Sequence, residues 1–197
     1  MENIEKTIRY VRQHGIVRPR DLEKVGIPRE YLLRLQRQGK LHRTGRGMYT
    51  LPDAAITERH SYAEVAKQVP EGVLCLLSAL VFHSLTTQNP ASVWIALGRG
   101  AREPALTSPS LKVVRLSGPS LTEGIEQHRV EGVPVRVYSA AKTVADCFKF
   151  RNKIGLDVAM EALKDCVRQK KARVDEIYHY AKICRVSKVI LPYMESL

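Results

Sequence analysis

Arg18-Pro-Arg-Asp-Leu-Glu-Lys-Val-Gly-Ile-Pro-Arg-Glu-Tyr-Leu-Leu-Arg-Leu-Gln-Arg-Gln-Gly39 reads as two short helices meeting at a glycine turn. Pro19 suits a first helical turn, because the N–H it lacks is one that a helix start leaves unbonded anyway. That helix is predicted to run to Val25, with Leu22 and Val25 facing inward. Gly26 breaks it. Ile27 precedes Pro28 and is biased away from helical geometry, so a new element starts there. The next helix is predicted from Pro28 to about Gln38, and Gly39 ends it. At 100° per residue, Tyr31, Leu32 and Leu35 share one sector, the core face. Arg29, Glu30, Leu33, Arg34 and Arg37 fall on the opposite side.

Upstream, Ile4, Ile8 and Val11 form one apolar stripe over Asn3 to His14, which predicts a first helix with Gly15 as its C-cap. Ile16 and Val17 suit a short extended stretch. Downstream, Leu41 and Met48 to Leu51 flank Thr44-Gly-Arg-Gly47, and the glycines permit the positive φ of a tight hairpin. Three helices and a hairpin predict a winged helix-turn-helix over residues 1–53. Its third helix would enter a major groove. An arginine can donate two hydrogen bonds to guanine, so Arg29 and Arg34 are candidate base readers. Leu33, apolar on a polar face, either meets a thymine methyl or packs on the rest of the chain. Arg43 and Arg46 would project from the wing toward a phosphate or the minor groove. Arg18, Arg20, Glu30 and Arg37 complete the candidate DNA-binding set. A charged hairpin alone would read as a solvated loop; the helices before it favour a wing.

Charge supports this reading. The chain has 197 residues and a formal net charge of +12, which favours polyanions. Residues 1–53 hold 12 Lys/Arg and 6 Asp/Glu, and residues 54–197 hold 20 and 14. Each segment is therefore +6, but the first is far shorter. Phosphate neutralisation supplies most sequence-independent affinity for DNA, and a focused excess is its footprint. The longest apolar run, Val73 to Leu77, is far too short to span a membrane. The first ten residues lack an apolar signal region, so a cytoplasmic protein is expected.

Residues 54–197 read as a second, α+β domain with a small, mostly antiparallel sheet covered by helices. Helices are predicted at 57–69, 74–85, 140–150, 155–169, 174–183 and near 187–194. Strands are predicted at 91–97, 111–116, 125–130 and 133–138, the last two joined by Glu131-Gly132. Ser139 is a natural N-cap. Cys75, Cys147, Cys166 and Cys184 lack zinc-site spacing and read as buried, reduced thiols.

No enzyme chemistry, cofactor or metal is expected. His83, Ser84 and Thr86 have no acidic partner nearby in sequence. A metal-dependent nuclease delivered by the winged helix is the alternative. It would have to use Asp146 or Glu161 with Lys164, none of them on a predicted strand. Arg99, Arg102, Arg115 and Arg136 suit either nucleic acid, an acidic partner or a solvated face. The basic run Arg168 to Arg173 suits a helix end as well as a phosphate.

The motifs Arg18-Pro-Arg-Asp-Leu, Gly26-Ile-Pro-Arg-Glu-Tyr-Leu-Leu-Arg-Leu, Gly39-Lys-Leu-His-Arg and Gly45-Arg-Gly-Met-Tyr resemble the N-terminal winged helix of AbiEi-type antitoxins. The resemblance to these antitoxins continues in Ser78-Ala-Leu-Val-Phe-His-Ser-Leu-Thr, Asn89-Pro-Ala-Ser-Val-Trp-Ile-Ala-Leu and Val133-Pro-Val-Arg-Val-Tyr-Ser-Ala-Ala-Lys-Thr-Val-Ala-Asp-Cys-Phe, farther along. Together they cover about residues 1–170. The resemblance implies a transcriptional repressor of a type IV abortive-infection module that binds repeated operator sequences in its own promoter, on double-stranded DNA. It further implies an antitoxin opposing a nucleotidyltransferase toxin, without a stable complex being required.

Overall fold

Val11, Leu22, Leu32 and Leu35 are all buried, and they close one small hydrophobic core with Val17, Ile27, Leu41 and Tyr49. The computed structural model describes residues 2–106 and 108–196. The elements around this core are α1 (Glu2–His14), α2 (Pro19–Glu23), α3 (Glu30–Arg37), β1 (His42–Gly45), β2 (Met48–Thr50) and α4 (His60–Gln68). The chain divides into two compact units, the first made of residues 1–70 with 129–135, the second of 71–128 with 136–197.

In the first unit the winged helix is as expected. β1 and β2 pair antiparallel, and Gly47 at φ +70° makes the tip. Val17 and Tyr49 exchange both backbone hydrogen bonds at 2.9 Å, so the Ile16–Val17 stretch adds a third rung to the wing. Val25 is a correction: it stands 50% exposed. α2 stops at Glu23, so Val25 has left the helical register that would turn it beside Leu22. The unit also takes in α4, whose Tyr62, Ala63 and Val65 are buried, and residues 129–135. Glu131 fastens that segment. Its carboxylate accepts from the N–H and hydroxyl of Thr57, at 2.7 and 2.8 Å, and lies 2.6 Å from His60 Nδ1. At Gly15, a Cβ would sit 1.7 Å from the Glu131 carbonyl oxygen, so only glycine permits this approach.

The elements after α4 are β3 (Val73–Leu74), α5 (Leu76–His83), β4 (Val93–Gly98), β5 (Leu111–Leu116), α6 (Pro119–Thr122), β6 (Ile125–Val130), β7 (Val133–Tyr138), α7 (Ala140–Lys149), α8 (Arg151–Ile154), α9 (Leu156–Arg168), α10 (Val174–Ile183) and α11 (Ser187–Met194); all belong to the second unit except residues 129–135, where β6 turns into β7. The strand order is β5-β4-β3-β7-β6. The fold is α+β, as expected, but the sheet is mixed rather than mostly antiparallel. β4 with β5 and β3 with β7 run parallel, and β3 with β4 antiparallel. One source of the difference is β3, only two residues long, inside an apolar run that reads as the start of a buried helix; the other is the parallel pairing of β4 with β5. Glu131 (φ +50°) and Gly132 (φ +80°) join β6 to β7 in a two-residue turn with both residues left-handed, which suits strand twist.

α7 is buried along Ala140 to Phe148 and packs against α5, α9 and α10. Ser139 caps it, its hydroxyl accepting from the Lys142 N–H at 3.3 Å. Lys142 and Asp146, one turn apart and 0% and 1% exposed, form a 2.6 Å ion pair. The Lys142 ammonium also lies 4.1 Å over the Tyr138 ring, and Cys184 Sγ donates to Asp146 at 3.2 Å. All four cysteines are buried and unpaired. Burial pushes their thiols up, Cys166 to about 11 and Cys184 to about 12.

Candidate nucleic-acid interface

α3 presents two faces. Leu32 and Leu35 are fully buried under α1 and the wing, with Tyr31 half-buried beside them. The opposite face is open. Glu30, Leu33, Arg34 and Arg37 border one surface cleft together with Tyr31 and Gln38. Leu33 is 49% exposed, lines this cleft and lies outside the hydrophobic core. Among the described residues, the side chains of Arg34 and Arg37 make no ion pair or hydrogen bond, so their guanidinium donors face water.

The remaining candidates divide by what holds them. Arg29, at the N-cap of α3, is exposed and reaches Glu23 only at 4.0 Å, a weak solvent-exposed contact. Arg20 is exposed on α2 and its side chain makes no ion pair with a described residue. On the wing, Arg43 folds back, its Nε donating to the Gly45 carbonyl at 3.1 Å. Arg46, beside Gly47 at the tip, is exposed and its side chain unpartnered among the described residues. Arg18 is different. Its Nη1 donates to the Lys67 carbonyl at 2.9 Å, and its backbone N–H donates to Asp21 at 2.8 Å. Asp21 in turn pairs with the Lys67 ammonium at 2.8 Å. Burial alone would raise the Asp21 carboxyl, but hydrogen bonds from Lys67 and the Arg18 N–H outweigh it and hold the carboxyl below its usual range. Arg18 thus braces α2 against α4. Lys67 lies 49 residues from Arg18, so no local sequence signal links the two.

Cations on an open helix face, an unpaired arginine at a glycine-bounded tip and a core that fixes α3 are the parts a duplex reader needs. Residues 6–52 match the family model of the AbiEi antitoxin transcriptional regulators. The matched segment runs from α1 to just past β2 and so contains all nine candidate contact residues. No curated protein matches the chain. No helix among the described residues is long and apolar enough to cross a membrane.

Outside the matched segment, two of the residues weighed for catalysis are held by other partners. The Asp146 carboxylate is buried against Lys142. His83 Nε2 lies 2.7 Å from the Tyr138 carbonyl, which fixes that nitrogen as the donor. Among the described residues no cluster of His, Cys, Asp and Glu has metal-holding geometry.

Proposed function

We propose that the protein is a DNA-binding transcriptional repressor and the antitoxin of an AbiE-like type IV module, with residues 1–53 as its DNA-reading domain and 54–197 as its antitoxin domain. The observation that carries the reading is the unpaired arginine face of α3 within the segment that matches the AbiEi family. α3 lies in the major groove, with Arg29 and Arg34 on guanines and Leu33 against a thymine methyl. Arg46 reaches the backbone or minor groove beside it, and Arg20, Arg37 and Arg43 add phosphate contacts. The target is the module's own promoter, in the cytoplasm, and the opposed toxin is a nucleotidyltransferase encoded beside it.

Fluorescence anisotropy of the full chain on its own upstream region, titrated with KCl, tests the DNA half. Several phosphate contacts give log K against log salt a slope near −0.9 per phosphate neutralised. A flat salt dependence contradicts the reading. Co-expression with the adjacent open reading frame tests the antitoxin half: growth arrest by that frame alone, relieved by this chain, is the expected result.

A further inference from the structure

The second unit contains a basic cavity that the DNA-binding face does not use. β4 and β5 are parallel and in register from Val93↔Leu111 to Gly98↔Leu116, so their carboxyl ends finish together. Open sheets bind ligands at the carboxyl ends of parallel strands, where the loops diverge and leave a crevice. Arg99 follows the end of β4, and Ser117 follows the end of β5. Both line a cavity of about 730 Å³ that also receives Arg115, Lys149 and Arg185. Its volume lies within the range of small-molecule sites. Four cations and one carboxylate, Glu123, face it, with the Ser117 and Ser120 hydroxyls and an apolar wall that includes Leu116, Phe150 and Ile183.

The cations are held in different ways. Arg115 is fixed by the carbonyls of Gly98 and Ala101, at 3.1 and 2.7 Å, and by Glu103. That clamp shapes the loop after β4 and leaves little of its charge over. Arg99, Lys149 and Arg185 make no side-chain ion pair with any described residue. Lys149 ends α7 and Arg185 follows α10, where a cation offsets a helix end carrying roughly half a negative charge. Positive charge therefore remains, and it faces the cavity. Arg185 also sits at φ +60°, in a position after a helix where glycine is the relaxed choice.

We propose that this cavity is a binding site for a nucleoside polyphosphate, its phosphates held by Arg99, Lys149 and Arg185 and its base against the Phe150 side of the apolar wall. Clustered unpaired guanidinium and ammonium groups match phosphate oxygens. The apolar wall and a volume of about 730 Å³ suit one nucleotide rather than a polymer.

Calorimetric titration of the full chain with ATP, GTP, adenosine and inorganic phosphate tests this, alongside a labelled single-stranded RNA and a duplex. A nucleoside triphosphate binds with a dissociation constant below about 1 mM, and adenosine does not. Arg99→Ala and Arg185→Ala each weaken that binding by roughly tenfold, Arg185→Lys restores most of it, and the melting temperature stays unchanged. Absence of triphosphate binding overturns the proposal. So does binding that the two alanine variants leave intact, or a loss confined to RNA or duplex binding. None of these outcomes bears on the α3 face, because the substitutions lie outside it.

Discussion

The open face of α3 and the buried side of α7 treat positive charge in opposite ways. On α3 and the wing, Arg34, Arg37 and Arg46 are exposed and, among the described residues, unpartnered, with apolar residues packed behind them. In the second unit, Lys142 is fully buried, ion-paired to Asp146 and laid over Tyr138. An exposed, solvated cation costs a fold almost nothing and is free to meet a phosphate. A buried one is tolerable only while its partners remain, so it belongs to the architecture. Residue type alone does not distinguish the two roles; burial and pairing do.

The sharpest way to break this contrast is Lys142→Ala. It leaves Asp146 buried without its counter-ion and should cost about 3–5 kcal/mol in urea unfolding of the full chain. A loss under about 1 kcal/mol would mean the pair is dispensable. Next is Gly15→Ala, which drives a methyl into the Glu131 carbonyl at a positive φ. Strain of this kind costs about 1–3 kcal/mol, and amide exchange should quicken at residues 129–135. Asp21 gives a smaller, pH-dependent effect. Its carboxyl is held below the usual range, so its contribution is complete above the unfolded value of about 3.9 and is lost as pH falls through the lower folded value. Asp21→Asn should therefore flatten the acid limb of the stability curve and leave neutral DNA binding unchanged. The smallest effect on stability is that of Arg46→Ala, within about 0.5 kcal/mol. The same variant should weaken all DNA sequences alike and reduce the salt slope by about 0.9.

Much of the first unit was legible because its signals are local. Pro19, Gly26, Pro28 and Gly39 punctuate α2 and α3, and the Leu32–Leu35 spacing names the buried face. The failures were non-local or too short to carry a period. Val25 was read inward by extending a five-residue helix beyond its end. β3, two residues in an apolar run, shows no alternation, so its parallel pairing with β7 could not be foreseen. Arg18 is indistinguishable in sequence from its exposed neighbours, because the Lys67 carbonyl that holds it is 49 residues away. Glu131 read as one half of a hairpin turn, and nothing near it in sequence announces Thr57 and His60.

The central claim is that the exposed face of α3 reads base sequence. The direct test is the Arg29→Ala/Arg34→Ala double variant, measured by gel shift on the chain's own upstream region and on a scrambled duplex at one fixed salt concentration. The account predicts a loss of about 1–3 kcal/mol per guanine contact on the native sequence, so that the two duplexes become nearly equivalent. Undiminished preference for the native sequence in a folded double variant would contradict it.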